Sequence, residues 1–321
     1  MRPFWKDLLT AMFMGLILPA FVLNILVKLQ AKPKPEISKA QEAAQDSPEA
    51  GDVLTVTLLL GDGTVKKMEM DDYLTGVVLA EMPASFEPEA LKAQAVVART
   101  YTLKSAEAGF KHENADVCAD HTCCQAYTDP ENYSGGQANL EKVRSAVAST
   151  SGRVLTYRDA LIEATYFSCS GGSTEDAVAV WGTDYPYLRA TPSPGEEDAA
   201  PYTDSVTFQA SVFLEKLGIS GTGSPDGWFG FTTYTAGGGV NTMRICGNEF
   251  RGTDLRMLLG LRSTNFSVET DGDTIIIHTK GFGHRVGMSQ YGADAMAVNG
   301  YTYDEILAHY YRGTDLVSFG D

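Results

Sequence analysis

Two consecutive helices predicted between Asp72 and Thr102 constrain this chain most strongly, because both carry wide apolar surfaces. The first places Leu74, Val77 and Val78 at helical spacing, so these residues share one face. The second is rich in alanine and apolar nearly all round, which is typical of a helix enclosed in a core. The sequence therefore predicts a helical core built around this pair.

Two charged residues lie inside this apolar pair. Glu81 continues the apolar face of the first helix, and a carboxylate in low dielectric without a charge partner has a raised pKa. Such a group keeps a proton near neutral pH, as a general acid must. The alternative is a solvated glutamate at a helix end that Met82-Pro83 terminates. Arg99, deep in the second helix, is either paired with an acidic neighbour or part of a site.

The N-terminus contains a candidate membrane anchor. Residues 8–27 form a run of 20 residues without a charge, which is long enough to cross a bilayer as a helix. Arg2 and Lys6 precede the run and favour a cytoplasmic N-terminus, although lysines on the far side weaken that orientation. A cleaved signal peptide is the alternative, but no clear small-x-small cleavage site follows. We therefore expect a retained single-pass anchor over residues 1–30, with the rest of the chain extracytoplasmic.

The remaining chain divides into a tether and one folded region. Residues 31–51 are rich in Ala, Pro, Glu and Gln, which predicts a flexible linker. Residues 52–321 form the expected extracytoplasmic folded domain, for which 44% hydrophobic residues in the chain is ample. Residues 1–34 carry a net charge of +4, which leaves −20 for residues 35–321. This charge excludes a general nucleic-acid binder, which needs a basic surface.

The pattern of elements predicts an α+β fold, with a helical core and antiparallel β-hairpins after the N-terminal transmembrane helix. One hairpin turns at Gly61-Asp62-Gly63 and another at Asp271-Gly272-Asp273. RVLTYR and LIEATYF read as two strands joined at Asp159. Further helices are expected near 139–151 and 252–260. The stretch from 182 to 239 reads mostly as loop, with one helix over 211–217.

A loop with no apolar periodicity contains a cluster of potential metal ligands. Sulfur and imidazole donors close together suit tetrahedral zinc, and a loop without core residues gains order from a structural ion. Disulfide bonding is the competing interpretation in an oxidising compartment, although five cysteines leave one thiol over. Cys169 and Cys246, further along, either pair with each other or stay buried. The candidate zinc ligands are His112, Cys118, His121, Cys123 and Cys124.

A glycine-rich segment, GFGHRVGMSQYG, follows a predicted strand and precedes a helix. Its spacing is GxGxxxG rather than GxGxxG, and no βαβ alternation surrounds it, so it is not a dinucleotide loop. The glycines instead permit a turn that brings backbone close to another group. His284 lies in this turn, where a structural histidine is as plausible as a functional one, and Ser289, Gln290 and Tyr291 lie at the helix start.

Three long motifs occur in one order along the chain: EMPASFEPEALKAQAVVARTY, ATYFSCSGGSTEDAVAVWG and GFGHRVGMSQYGADAMAVNGYTYDEILAHYYRGT. Together they resemble the stage II sporulation protein D family of peptidoglycan lytic transglycosylases and its amidase-enhancer relatives. The resemblance spans about Asp72 to Thr314. It implies an endospore-forming bacterium and a mother-cell membrane protein that cuts the cell wall facing the intermembrane space during engulfment. It also implies an amidase partner that strips stem peptides first, and other engulfment membrane proteins.

The resemblance implies that Glu81 is the catalytic acid, in agreement with its place in an apolar face. A lytic transglycosylase needs one carboxylate, because the substrate supplies the attacking hydroxyl. Glu87 and Glu89 are the fallback acids, and a zinc hydrolase is disfavoured because no HExxH helix is present. A non-catalytic peptidoglycan-binding activator of an amidase is the alternative function. The substrate-binding candidates by motif position are Tyr166, Ser168, Ser170, His284, Ser289, Gln290, Tyr291 and Arg99.

Overall fold

The computed structural model describes residues 54–109 and 111–320, and the predicted anchor and linker lie outside these ranges. Within the described ranges, no helix combines the length and the hydropathy needed to cross a bilayer. The described chain contains eight α-helices and five small sheets, so the predicted α+β class is confirmed for this part.

The helices alternate irregularly with short strands along the chain. The helices are α1 (Met70–Glu81), α2 (Pro88–Glu107), α3 (Gln137–Ala148), α4 (Ala177–Trp181), α5 (Ala210–Leu217), α6 (Gly252–Leu259), α7 (Gln290–Val298) and α8 (Tyr303–Tyr310). The strands are β1 (Thr55–Leu59), β2 (Val65–Glu69), β3 (Val117–Cys118), β4 (Arg153–Tyr157), β5 (Ala160–Leu161), β6 (Tyr166–Phe167), β7 (Thr203–Gln209), β8 (Phe229–Tyr234), β9 (Val240–Ile245), β10 (Asn248–Arg251), β11 (Phe266–Asp271), β12 (Thr274–Lys280), β13 (Met288–Ser289) and β14 (Asp315–Ser318).

The sheets are mostly antiparallel. Their strand orders are β2-β1-β3, β14-β4-β5, β13-β6, β11-β12-β7 and β10-β9-β8. The pairs β1-β3 and β6-β13 are the parallel ones among them. β1 and β2 pair with Thr55 opposite Glu69 and Leu59 opposite Val65, and β11 pairs with β12 around Gly272. Both predicted hairpins are therefore confirmed.

The larger hydrophobic core surrounds α1 and α2, against which α3, α7, α8 and β4 pack. Leu74, Val77 and Val78 have no exposed surface, so the predicted apolar face of α1 is confirmed. Pro88 begins α2, where its missing N–H costs nothing because the first helical N–H groups have no partner inside the helix. The helix pair is the scaffold from which Glu81 extends.

A second, smaller core lies between α5, α6 and the two sheets that contain β7 to β12. Phe213 of α5, Leu255 of α6 and Ile275 of β12 are almost completely buried there. The sequence analysis predicted α5 and α6 but read most of the segment from 182 to 239 as loop. That prediction was wrong for β7 and β8.

The missed strands share a physical cause. In β7 the half-buried positions alternate with exposed ones, but its sequence TDSVTFQ places polar residues on both faces. Apolar alternation, the main signal for a strand, is therefore weak. LIEATYF was also wrong as one strand: β5 pairs with β4, whereas β6 pairs with the distant β13. The chain changes pairing partner between Ile162 and Thr165, and no local pattern records this change.

Candidate active site

Glu81 is the last residue of α1, and its side chain is half-buried. The helix ends there because Met82 takes an extended conformation before Pro83. Its carboxylate oxygen Oε1 accepts a hydrogen bond of 2.8 Å from the backbone N–H of Ala126. Burial raises the pKa of Glu81 above its ordinary value. The Ala126 N–H and the nearby side chains of Tyr166 and Gln290 oppose this effect in part, because they favour the charged form.

The Ala126 N–H reaches Glu81 because Gly76 permits close packing against α1. A Cβ atom at Gly76 would collide with the Tyr127 ring and the carbonyl of Thr128. Thr128 also donates its N–H to the Gly76 carbonyl at 3.0 Å. A glycine inside a helix costs about 1 kcal/mol relative to alanine. Here it allows the 126–128 segment to lie directly on the helix that carries Glu81.

Gln125 links this segment to the second motif. Its amide nitrogen donates to Tyr73 Oη at 3.1 Å and to Thr102 Oγ1 at 2.9 Å, which fixes the side chain inside the core. The remaining amide oxygen accepts from Tyr166 Oη at 3.1 Å. Burial, followed by the charge of Glu81, raises the pKa of Tyr166 well above its ordinary value. Tyr166 is therefore a neutral hydroxyl held beside the Glu81 carboxyl group.

The third motif contributes His284 and Gln290. Burial, with the positive charge of Arg256 as a second cause, lowers the pKa of His284 to about 4. The imidazole is therefore neutral near pH 7, and its Nδ1 accepts a hydrogen bond of 3.1 Å from the Val286 N–H. The buried amide nitrogen of Gln290 lies near the Glu81 carboxyl group, but no hydrogen bond of ordinary geometry joins it to any described residue. A buried donor without a partner is costly, which is explained if a ligand accepts from it.

These groups surround one open cavity of about 560 Å³. Volumes of this size are typical of small-molecule binding sites. The wall is formed by α1, the 121–125 segment, residues 165–168 around β6 and the third motif, with one residue each from α2 and α6. The lining residues are Glu81, Tyr101, His121, Cys124, Gln125, Thr165, Tyr166, Phe167, Ser168, Arg256, Phe282, Gly283, His284 and Gln290.

Four of the predicted substrate-binding residues thus line the cavity with Glu81, namely Tyr166, Ser168, His284 and Gln290. Ser170, Ser289 and Tyr291 lie outside the lining and hold the motif segments together. The Ser289 hydroxyl accepts from the Gly292 N–H at 3.2 Å, and the Tyr291 N–H donates to the Ser168 carbonyl at 3.0 Å. The Ser170 N–H donates to the Glu196 carboxylate at 2.6 Å.

Arg99 lies away from the Glu81 cavity. Its guanidinium is fully buried and forms an ion pair with Asp71, with Nη2 and Oδ1 3.0 Å apart. Nη1 donates to the carbonyls of Thr150 at 2.7 Å and Arg153 at 3.2 Å. Of the two interpretations that the sequence left open, the contacts of Arg99 favour the structural ion pair.

Sequence reasoning missed a second buried ion pair behind the cavity. Arg285 and Glu175 are both fully buried, with Nη1 and Oε1 3.0 Å apart. Arg285 also donates to the carbonyls of Ser170 at 2.7 Å and Gly237 at 2.7 Å, so it joins the second motif to the loop before β9. The sequence pattern gave no sign that Glu175 pairs with Arg285, because 110 residues separate the two charges.

Four of the five predicted metal ligands converge in one cluster. The donor atoms of His112, Cys118, Cys123 and Cys124 all lie within 4.8 Å of one another. His112 Nε2 lies 3.3 Å from Cys124 Sγ and 3.7 Å from Cys123 Sγ. A tetrahedral zinc ion with ordinary Zn–S and Zn–N bonds places such atoms about 3.5–3.8 Å apart. The donor set and its spacing therefore fit a metal ion.

His121 is not part of this cluster. Its side chain is mostly exposed, and it lines the Glu81 cavity instead. All five cysteines of the chain are free thiols. Cys169 is buried and donates to Glu196 at 2.9 Å, whereas Cys246 packs against the second core. They do not pair with each other.

The comparisons with known proteins point in one direction. A family model described as stage II sporulation protein matches residues 61–157, a segment that includes Glu81 and the His/Cys cluster. Over 260 residues the chain is 40% identical to stage II sporulation protein D of Bacillus subtilis (strain 168), covering 79% of this chain and 76% of that protein. The similarity to stage II sporulation protein D of Bacillus amyloliquefaciens is also 40% over 260 residues, covering 79% and 75%.

A third relative has a different name. The amidase enhancer of Bacillus subtilis (strain 168) is 32% identical to this chain over 299 residues. The alignment covers 77% of this chain but 40% of the amidase enhancer.

Proposed function

Because this chain belongs to the stage II sporulation protein D family, we propose that it is a lytic transglycosylase that cleaves peptidoglycan glycan strands during sporulation. One observation carries the proposal: Glu81 lines an open cavity, and burial raises the pKa of its carboxyl group. A protonated carboxylic acid beside a space that admits a sugar chain is the group that breaks a glycosidic bond.

The reaction begins with proton transfer from Glu81. The proton goes to the oxygen that links N-acetylmuramic acid to N-acetylglucosamine, the C1–O bond breaks, and the muramic acid ring gains oxocarbenium character. The 6-hydroxyl of the same sugar then attacks C1. The Glu81 carboxylate takes the hydroxyl proton as the new bond forms, which restores the acid. The products are a free 4-hydroxyl end and a 1,6-anhydro end, and no water is consumed.

The cavity contains one carboxylate among the described residues that line it, namely Glu81. Ordinary glycosidases use two carboxyl groups, the second as a nucleophile or as the base for water. The intramolecular attack of the 6-hydroxyl needs a single carboxylate that acts first as acid and then as base. The composition of the cavity wall supports this reaction class.

Neutral polar groups are available for the transition state. The Tyr166 hydroxyl lies beside Glu81, and its one O–H, which donates to Gln125 Oε1, would stabilise the Glu81 carboxylate after proton transfer by turning towards it. The unpartnered amide nitrogen of Gln290 donates to a sugar hydroxyl or acetamido oxygen. Phe282 and Trp181 are exposed beside His284, with the Trp181 and His284 ring centroids 5.2 Å apart. Aromatic faces of this kind pack well against the apolar faces of sugar rings.

The His/Cys cluster holds a structural zinc ion in this proposal, bound by Cys118, Cys123, Cys124 and His112. Four protein ligands leave no open position, so the ion supplies order and not chemistry. Its position explains why order matters here: Cys124 lines the cavity, and the next two residues, Gln125 and Ala126, hold Tyr166 and Glu81. The cluster thus fixes the segment that positions the acid.

A second candidate function is supported by the likeness to the amidase enhancer. In that case the cavity binds peptidoglycan and the protein activates a cell-wall amidase without cutting glycan. Such a role needs the cavity but gains nothing from an acid of raised pKa. The two roles are compatible in one protein.

The proposed cellular arrangement combines the N-terminal sequence, which supports an anchor and a tether, with the family, which supports the mother-cell membrane and the partners. Residues 1–30 anchor the protein in the mother-cell membrane, residues 31–51 tether it, and residues 52–321 form the catalytic domain in the intermembrane space. The partners are the glycan strands, an amidase that removes stem peptides and other engulfment membrane proteins.

Product analysis tests the proposal. The full chain and its Glu81→Gln variant are incubated with glycan strands stripped of stem peptides, and the products are identified by mass spectrometry. Anhydro-muramic ends are expected from the wild-type protein alone. If neither protein forms such ends while both bind the strands, the enzyme is excluded and the activator is favoured.

A further inference from the structure

One cation in the wall of the Glu81 cavity has no hydrogen-bond or ion-pair partner in the part of the chain that the structure describes. Arg256 lies in the last turn of α6, its side chain is half-buried, and it lines the cavity. Among the described residues, its guanidinium forms no hydrogen bond and no ion pair of the kinds that hold the other buried arginines. The positive charge of Arg256 acts on the cavity, because it is the second cause of the low pKa of His284.

The two fully buried arginines of the described chain show how a buried guanidinium is normally paired. Arg99 is paired with Asp71 and donates to backbone carbonyls, and Arg285 is paired with Glu175 and donates to three more. A cation that loses water needs such compensation. The C-terminal dipole of α6 stabilises a cation in the last turn, but it does not use the five directed N–H donors of a guanidinium.

The net negative charge of the chain makes Arg256 stand out as a place where an anion can bind. Residues 35–321 carry a net charge of −20, so the molecule as a whole repels anions. Arg256 is the one permanently charged cation among the residues that line the cavity in the described chain. An anionic group on the substrate is therefore accepted only where it meets this side chain.

We propose that Arg256 binds the free carboxylate of the lactyl group on muramic acid, and that it makes the cavity selective for strands whose stem peptides have been removed. This inference rests on the proposed function and assigns its specificity to one residue. On an intact strand that carbonyl is part of an amide, which carries no charge and leads into a peptide. Removal of the peptide by an amidase leaves a carboxylate, and a guanidinium binds a carboxylate through two parallel hydrogen bonds.

The test separates the effect of the negative charge on the lactyl group from the steric effect of the stem peptide. Two peptide-free strand preparations are compared, one with free lactyl carboxylates and one in which the same groups are converted to primary carboxamides. Affinities are measured with the full-length Glu81→Gln protein, which retains the cavity and does not cleave. Cleavage rates are measured in parallel with the protein that retains Glu81.

We expect the carboxylate strands to bind about ten- to hundredfold more tightly than the carboxamide strands, the range of a hydrogen bond to a charged group. Arg256→Gln should reduce this ratio to near one, mainly by weakening the carboxylate complex. Arg256→Lys keeps the charge without the paired donors and should give an intermediate ratio. Arg251→Gln, a change at an exposed arginine outside the cavity, is the matched control and should keep the full ratio.

Equal binding of the two preparations by the parent protein would overturn the inference, and so would an undiminished ratio in both Arg256 variants. These outcomes are independent of cleavage, because the affinities are measured without it. If the protein that retains Glu81 forms no anhydro ends, the proposed enzyme fails while the affinity ratio still decides the role of Arg256. If it cleaves both preparations at one rate, the enzyme stands and Arg256 is not its selector.

Discussion

The central helix pair places Glu81 in the wall of one cavity and Arg99, together with Asp71, in the wall of another, and Glu81 and Arg99 have opposite surroundings. Glu81 lines the cavity of about 560 Å³, where burial dominates and raises the pKa of the carboxyl group. Arg99 lines a second cavity of about 480 Å³, but it is paired with Asp71 at 3.0 Å. The arginine is compensated within the fold by an opposite charge, whereas the carboxylate is compensated only in part, by hydrogen bonding.

This difference separates an architectural charge from a reactive one. The Arg99 contacts join α2 to Asp71 of α1 and to the carbonyls that follow α3, so removal of this charge should loosen the core. Burial raises the pKa of the Glu81 carboxyl group because nothing nearby compensates its charge fully. Its unfavourable environment is tolerated because the helix that carries it is buried along one face. A group held in this way is available for proton transfer.

The strongest test removes each charge in turn and compares the loss of activity with the loss of stability. Glu81→Gln should lower glycan cleavage by about 10²- to 10⁴-fold, the usual contribution of general acid–base catalysis, and should leave the fold intact. Arg99→Met should lower the free energy of unfolding by about 2–4 kcal/mol, because buried carbonyls lose their donor and Asp71 loses its partner. Product analysis and urea denaturation of both variants measure the two effects. A large loss of stability in Glu81→Gln would contradict the distinction.

Another part of the Glu81 cavity wall adjoins the His/Cys cluster, because Cys124 belongs to both. Chelation, or the substitution Cys118→Ser, should release the segment that carries Gln125 and Ala126, and cleavage should fall about ten- to hundredfold, as when an orienting partner is lost. Elemental analysis should find one zinc ion per chain before chelation. His121→Ala is the matched control, since His121 lies outside the cluster and should leave the metal content unchanged. A chelated protein with full activity would show that the cavity wall is ordered without metal.

A smaller effect is expected from the close contact between α1 and the same segment. Gly76→Ala adds a Cβ atom against Tyr127 and the Thr128 carbonyl, so the segment must move away from Glu81. Overpacking of this kind costs about 1–3 kcal/mol. Cleavage should fall by about tenfold, because a lost hydrogen bond of about 1 kcal/mol at Ala126 misplaces the acid. Ala80→Gly in the same helix controls for helix propensity, and equal activity of Gly76→Ala and wild type would remove the role given to the contact.

The sequence predicted the parts of this site that lie on regular elements. The apolar face of α1 located Glu81, and the spacing of glycines located the turn that carries His284. The His/Cys loop was also recognised, because donor types identify a metal site without knowledge of the fold. Each of these signals is local, and each depends on residue types that have few other reasons to occur together.

The residues that the sequence did not identify act through long-range contacts. Gln125 is important because its amide meets Tyr73, Thr102 and Tyr166. Arg256 is notable because its guanidinium has no hydrogen-bond or ion-pair partner within the described part of the chain. Neither property is visible in a pattern of residue types. Arg99 had two interpretations for the same reason, since its acidic partner lies 28 residues away on another helix. The pairing of β6 with β13 was also missed, because the two strands lie far apart in the sequence.

The pH dependence of stability gives the smallest and most specific test of the unpaired carboxylate. Burial raises the pKa of Glu81 in the folded chain above the ordinary 4.5, so the folded state binds a proton that the unfolded state has already lost. The resulting contribution to stability is fully present below pH 4.5 and is lost as the pH rises through the folded-state pKa. Glu81→Gln has no such proton, and its amide oxygen still accepts from Ala126. The variant should therefore be more stable than wild type at pH 7 to 8, and the difference should vanish as the pH falls below about 4.5.

Urea denaturation across this pH range measures the difference in stability, with Glu131→Gln, at an exposed glutamate, as the control for the loss of one negative charge. A difference that stays constant with pH would mean that the Glu81 carboxyl group is solvated in the folded protein, and the contrast with Arg99 would then disappear.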